Sequence, residues 1–192
     1  MIKNSIIIST LLFQLAFAQS DLRFKRLSIV QGLSQSTVET VLQDRYGFMW
    51  IGTEDGLNRY DGYQFKIYKH DPGDSTSISN NNVWCLFEDH DGYLWIGTFS
   101  GGLNRYDPKT DTFTRYLYDP EDQFGLSSNK IRSISEDHQG YLWIGTRNGG
   151  LNSFNLRTQQ FEKRIVETGL SDGIIIQVVS GLSDEDKIKK IS

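Results

Sequence analysis

The residues most suited to nucleophilic or acid–base chemistry in this sequence are three histidines and a single cysteine. The histidines all fall in polar, loop-like stretches: His70, His90 and His138. Cys85 lies in the apolar run 83–87. A nucleophilic thiol needs a base and an orienting partner, and this run offers neither. We therefore interpret Cys85 as a small buried residue, and a lone cysteine cannot form a disulfide within the chain.

The 24 acidic residues form no recognisable catalytic or metal-binding motif. The stretch DHDG at 89–92 is similar to the start of a calcium loop, but the later spaced ligands and the distant glutamate are absent. A hairpin turn is the better interpretation. The sequence also lacks a glycine-rich phosphate loop, zinc-ligand spacing and a Ser-His-Asp order. We predict no catalytic residue, no metal site and no cofactor, and hence a protein that is not an enzyme.

Binding chemistry is better supported at three short turns where otherwise repeated segments differ. An aromatic side chain there could stack on a sugar, and a guanidinium could pair with the carboxylate of a uronate. We expect these turns to share one face of the molecule with the loops 69–82, 119–130 and 167–173. The candidate ligand-binding residues are Glu54, Asp55, Phe99, Arg147 and Asn148. The alternative is that they are solvated loop tips.

The turns belong to a segment that occurs three times, with tryptophans 45 and 48 residues apart at Trp50, Trp95 and Trp143. The strands FMWIGT, YLWIGT and YLWIGT are followed by LNRYD, LNRYD and LNSFN. Each unit contains four short β-prone runs separated by Gly, Asp and Asn turns. Four strands in about 45 residues leave no room for crossover helices, so neighbouring strands must pair antiparallel.

A four-stranded sheet of this size is stable only if both of its faces are covered, and radial stacking gives β-propeller blades. In LWIGT, Leu94, Ile96 and Thr98 share one face, and Trp95 and Gly97 share the other. We expect Gly97 to omit a side chain where the next sheet approaches closely. The structural positions of the repeat are Trp50, Gly52, Trp95, Gly97, Trp143 and Gly145.

Two aromatic residues outside these positions are also expected to pack rather than bind. Tyr106 recurs as Tyr60 and is replaced by Phe154, which favours packing between blades. Trp84 differs from its counterparts Glu39 and Arg132, and we expect it in core or interface packing.

The repeats from about 22 to 161, with their shared turn glycines and the WIGT…GGLNRYD core, resemble the two-component-regulator propeller repeat. This resemblance implies the extracytoplasmic sensor region of a hybrid two-component histidine kinase and response regulator. In that family, propellers precede a membrane helix and a kinase, and the sensor typically recognises oligosaccharides. The chain has no kinase motif of its own, so the resemblance implies a sensor that does not signal by itself.

The chain divides into a leader, a repeat region and a tail. Residues 1–18 combine Lys3, a short apolar run and the small residues Ala16 and Ala18, as in a secretory signal peptide. Residues 19–180 are interpreted as an incomplete β-propeller, with units at 33–78, 79–126 and 127–166 and a partial fourth at 169–180. Residues 181–192 are a divergent charged tail. We expect an exported, periplasmic fragment of a sensor whose intact form is anchored in the inner membrane.

The sequence-based interpretation is therefore an all-β partial propeller that recognises a ligand and is expected to sense carbohydrate. The alternative is a structural or protein–protein interaction propeller with no small ligand. Expected partners are an oligosaccharide and either the remaining blades of the sensor or a second copy of the chain. A net charge of −4 with interspersed signs argues against nucleic acid, and no later segment is apolar enough to span a membrane.

Overall fold

The computed structural model describes residues 24–164, 167–171 and 176–180, and these residues form an all-β structure. One short 3-10 turn, Ile29–Gln31, precedes the strands. No helix in this part of the chain is long and apolar enough to cross a membrane. The predicted signal peptide (1–18) and charged tail (181–192) lie outside the described residues.

Twelve strands form three four-stranded antiparallel sheets, each built from four consecutive strands in chain order. Blade 1 contains β1 (Val38–Gln43), β2 (Met49–Thr53), β3 (Gly56–Tyr60) and β4 (Phe65–Tyr68). Blade 2 contains β5 (Val83–Glu88), β6 (Leu94–Thr98), β7 (Leu103–Asp107) and β8 (Thr112–Tyr116). Blade 3 contains β9 (Ile131–Glu136), β10 (Tyr141–Thr146), β11 (Gly150–Asn155) and β12 (Gln160–Arg164). The predicted four-stranded blades are confirmed.

Two further strands, β13 (Glu167–Ser171) and β14 (Ile176–Ser180), pair antiparallel as a separate two-stranded sheet. The prediction of a loop over 167–173 is therefore wrong in part, because residues 167–171 form β13. Pairing with β14 gives the backbone N–H and C=O groups of both strands hydrogen-bond partners.

The blades pack face to face, so the second strand of blade 2, β6, is buried on both of its faces, as predicted. Leu94 and Ile96 belong to the core between blades 1 and 2, whereas Trp95 belongs to the core between blades 2 and 3. The alternation of side chains along one strand thus supplies two separate cores. Tyr106 lies in the first of these cores with its ring 4.9 Å from that of Trp50, which confirms the predicted packing between blades.

Gly97 lies where two blades come closest. A Cβ atom at this position would lie 2.6 Å from Cγ2 of Ile131 in blade 3, and would also overlap Sγ of Cys85 in blade 2. Gly52 has the same role one blade earlier, because its Cβ would lie 2.6 Å from Cγ1 of Val83. Gly52 and Gly97 therefore leave room for the neighbouring blade, whereas a Cβ atom at Gly145 would meet Ser133 of its own blade.

In each blade, the aspartate that directly follows the first strand holds the tryptophan of the second strand in place. The indole N–H donates to the carboxylate at 2.8, 2.7 and 2.8 Å in the pairs Trp50–Asp44, Trp95–Asp89 and Trp143–Asp137. The second carboxylate oxygen accepts the backbone N–H four residues further on. Burial alone would raise the pKa of Asp137, but the bonds from Tyr141 and Trp143 outweigh it and lower that pKa.

A buried asparagine in the third strand of each blade holds the segment that enters the same blade. Its amide donates to a serine hydroxyl at 2.8 Å in all three blades, in the pairs Asn58–Ser34, Asn104–Ser79 and Asn152–Ser127. The amide oxygen accepts the backbone N–H of that serine. These three asparagines and their partner serines are therefore structural rather than ligand-binding positions.

Candidate functional site

The first strand of every blade carries a β-bulge at the same place. In blade 1, Val38 pairs with Thr53 and Thr40 pairs with Gly52, which leaves Glu39 without a partner on β2. The same shift in the other blades leaves Trp84 and Arg132 unpaired. A bulge twists the strand and redirects the side chain of the extra residue. The three first strands contact one another in sequence, so these bulge residues line one inner edge of the blade array.

The hairpins between the second and third strands lie at this same end of the blades. Backbone N–H groups of these hairpins donate to carbonyl groups of the segments that enter the first strands. The bonds are Phe99 N–H to Asn82 at 2.9 Å, Arg147 N–H to Lys130 at 2.8 Å and Gly56 N–H to Asn81 at 2.7 Å. The divergent hairpin residues and the bulge residues are therefore neighbours in space.

Four side chains from this end form a compact group of aromatic rings and cations, which we call the mouth cluster: Trp84, Phe99, Lys130 and Arg132. The rings of Trp84 and Phe99 meet edge to face with their centroids 4.7 Å apart. The Arg132 guanidinium lies 3.6 Å from the Trp84 ring centroid, and the Lys130 ammonium lies 5.9 Å from that of Phe99. Both distances suit cation–π attraction.

The mouth cluster keeps its binding groups accessible. Phe99 is 38% exposed, Trp84 is half-buried, and Arg132 is exposed. Within the part of the chain that the structure describes, the charged ends of Lys130 and Arg132 make no ion pair or hydrogen bond. The cluster therefore presents two aromatic surfaces and two uncompensated positive charges.

The structure distributes the five predicted ligand-binding residues unequally. Phe99 belongs to the mouth cluster, and Arg147 is exposed one hairpin away. Asp55 is engaged by Lys69 at 2.6 Å and by the amide of Asn81 at 3.3 Å. The remaining two have local roles: Glu54 accepts a hydrogen bond from Gln35 at 3.2 Å, and Asn148 adopts a left-handed turn conformation with φ 71°.

Sequence reasoning missed Lys130 and Arg132 and assigned Trp84 to packing. Trp84 does contact the neighbouring blade through Arg132, but part of its ring stays exposed. The available signal was the disagreement of Trp84 with Glu39 and Arg132 at one repeat position. That difference could be interpreted only once the bulge was known. With regular pairing between β5 and β6, Trp84 would be an ordinary strand residue.

The other end of the strands carries ion pairs between blades and a groove of about 670 Å³ between blades 2 and 3. Arg45 of blade 1 binds Glu88 of blade 2 at 2.7 Å. One blade further, His90 binds Glu136, and this hydrogen bond raises the pKa of His90. The described residues include no group of three or more side chains that could hold a metal ion. We interpret this end as an inter-blade contact, because Arg45 pairs with Glu88 and His90 pairs with Glu136 across the blades.

Known proteins with related sequences and structures include sensor proteins of bacteria. A 74-residue stretch, 38% of this chain, is 49% identical to histidine kinase P4 of Formosa agariphila, of which it covers 5%. The extracellular domain of the putative hybrid two-component system BT3049 from B. thetaiotaomicron superposes with a TM-score of 0.69 at 36% identity, over 72% of this chain and 20% of that one. The corresponding domain of BT4673 gives 0.57 at 31% identity, over 71% and 19%.

The chain thus spans about a fifth of these solved domains and a twentieth of the curated relative. A sequence model described as two component regulator propeller matches three stretches: residues 32–55, 77–100 and 125–148. Each match runs from the entering segment through the first two strands of one blade to its hairpin. The three blades therefore contain two-component regulator propeller repeats.

Proposed function

We propose that the chain is a ligand-recognising propeller module of a hybrid two-component sensor and that its ligand is a carbohydrate. The extracellular location of the similar solved domains supports a role outside the cytoplasm, and we place this module in the periplasm. The proposed role is recognition rather than catalysis. The name histidine kinase belongs to a relative of which this chain covers only 5%, so it does not assign kinase activity to this part.

The observation that carries the proposal is the partly exposed aromatic pair Trp84–Phe99 at two positions where the blades differ. Residues that fix the blade architecture recur from blade to blade, whereas this pair occurs once. Aromatic rings stack on the apolar faces of pyranose sugars, and nearby polar groups fix the orientation of a ligand. Glu39 and Glu54 occupy the corresponding positions of blade 1 and can accept hydrogen bonds from sugar hydroxyl groups.

Calorimetric titration of the full chain with a panel of neutral and acidic oligosaccharides tests this proposal. We expect saturable binding of at least one saccharide. Trp84→Ala should weaken this binding about tenfold, because the lost stacking contact contributes on the order of 1.4 kcal/mol, and 1.4 kcal/mol corresponds to a tenfold change in affinity. Tyr63→Ala is the matched control, since Tyr63 is 94% exposed in the turn between β3 and β4 at the other end of blade 1.

Two results would contradict the proposal. One is the absence of saturable binding across the panel while the chain captures a purified protein partner through the same surface. The other is equal saccharide affinity of the native chain and Trp84→Ala, which would place any binding elsewhere. Far-ultraviolet circular dichroism of each variant establishes that the blades are intact.

A further inference from the structure

The same structural positions carry a different chemistry in each successive blade. The bulge position and the first hairpin position hold two acids in blade 1 (Glu39 and Glu54), two aromatic rings in blade 2 (Trp84 and Phe99) and two arginines in blade 3 (Arg132 and Arg147). Because the blades share one backbone plan, these pairs follow one another around the inner edge. The edge therefore changes from negative through aromatic to positive.

The cations at the positive end of this edge, Arg132 and Lys130, form no ion pair with an acid among the residues that the structure describes. Three other cations of the described chain are paired with acids of the fold: Arg45 with Glu88, Lys66 with Asp111 and Lys69 with Asp55. Arg59 and Arg105 also lie over aromatic rings, but both are half-buried. Arg132 differs from them because it is exposed, and among the described residues its charged group and that of Lys130 contact only aromatic rings.

The contact with Trp84 also prepares Arg132 for a particular kind of ligand. A guanidinium lying on an indole ring is held in place by that ring, while the N–H groups around its own edge stay available. Those N–H groups match the two oxygens of a carboxylate or of a sulfate ester in a bidentate arrangement. Lys130 adds a second donor beside Phe99, so a ring stacked on the aromatic pair would have its charged substituent beside both cations.

We propose that the mouth cluster binds an anionic saccharide, with the sugar ring on Trp84 and Phe99 and its carboxylate or sulfate group on Arg132 and Lys130. This inference rests on the proposed function, because it specifies the ligand of the same site. The acids of blade 1 orient the ligand. Glu39 and Glu54 repel its anionic group, which therefore lies towards blade 3.

The test compares three defined probes by calorimetry on the full chain: a hexagalacturonate, its methyl ester, and a sulfated galactose oligomer of similar length. Methyl esterification removes the charge but keeps the sugar ring, and the sulfated oligomer distinguishes the two anionic groups. We expect at least one anionic probe to bind about tenfold or more tightly than the ester. Arg132→Gln should abolish this preference while it leaves binding of the ester unchanged.

Arg157→Gln is the matched control, because Arg157 is an exposed arginine of blade 3 at the other end of its strands. It removes the same charge and should leave the preference intact. Arg132→Lys should retain part of the preference, since it keeps the charge but loses the planar fork. Raising the salt concentration should weaken anionic binding and leave the ester unaffected.

The outcomes separate this inference from the function on which it rests. Equal affinity for the ester and both anionic probes overturns the anionic site but keeps carbohydrate recognition. An anionic preference that survives Arg132→Gln and Lys130→Gln also overturns it. A polyglutamate peptide is titrated in addition to the three saccharide probes. If it binds as tightly as they do and Trp84→Ala leaves its binding unchanged, carbohydrate recognition itself is overturned.

Discussion

Replacing Gly97 with alanine should destabilise the packing of blade 2 on blade 3. The new Cβ would lie 2.6 Å from Cγ2 and 2.9 Å from Cβ of Ile131, and it would overlap Sγ of Cys85. Carbon atoms do not approach this closely, so the two blades must separate or their side chains must leave their preferred rotamers. Overpacking of this kind costs about 1–3 kcal/mol of the free energy of unfolding.

Urea unfolding followed by tryptophan fluorescence measures this cost. Gly73→Ala is the control, because Gly73 lies in the loop between blades 1 and 2 and its Cβ would lie 3.3 Å from only the flexible side chain of Asp71. Removing Sγ with Cys85→Ala should recover part of the loss, with a coupling of about 0.5 kcal/mol or more. A Gly97→Ala variant within about 0.5 kcal/mol of the native chain would refute the close approach of the blades.

Four further predictions follow from single side chains. The Tyr116 hydroxyl is buried without a hydrogen-bond partner among the described residues, so Tyr116→Phe should leave the free energy of unfolding unchanged or raise it. Tyr68→Phe should lower the free energy of unfolding by about 1 kcal/mol, because the Tyr68 hydroxyl donates to a carboxylate at 2.8 Å. Urea unfolding measures both variants, and an equal change in the free energy of unfolding for the two would contradict both predictions. Burial raises the pKa of the Cys85 thiol to about 12, so a disulfide reagent at about pH 8 should modify it only after unfolding. The hydrogen bond to Glu136 raises the pKa of His90 above its unfolded value, so this pair's stabilisation is complete below about pH 6.5 and is lost as the pH rises through the raised pKa. His90→Gln should remove that pH dependence, and an unchanged profile in urea unfolding would exclude the contribution.

The fold was largely predictable because its determinants are local and repeated. Trp95 and Gly97 alternate with Leu94 and Ile96 along one strand, and the strand recurs with similar spacing in three units. A pattern of period two with apolar residues on both faces requires cover on both faces. Stacked antiparallel sheets follow from that requirement, and the structure places these residues in two separate cores.

The contacts that hold the blades in position were predictable only in part. The position of Asp89 before a turn was evident, but its hydrogen bond to the Trp95 indole depends on the curvature of the intervening turn. The ion pair of Arg45 with Glu88 joins residues 43 positions apart. Their types alone do not pair them among the 20 basic and 24 acidic residues of the chain.

The candidate site shows the same division. The hairpin residue Phe99 could be singled out by comparing the repeats, because turn positions are free to vary where strand positions must pack. Asp55 met the same criterion, yet its carboxylate forms an ion pair with Lys69 of the same blade. Trp84 and Arg132 lie within strands, where the ordinary expectation is packing, and only the shift in strand pairing directs them to the inner edge.

The amino-acid sequence by itself determined the blade: its four strands, its turns, its buried tryptophan and the glycine that admits the next blade. These features are set by side-chain alternation and turn chemistry within about 45 residues. Only the tertiary structure decided which divergent residues meet, because the mouth cluster joins side chains of two blades. Its geometry depends on the bulges and on the angle at which one sheet stacks on the next, and those are properties of the packed blades rather than of any single repeat.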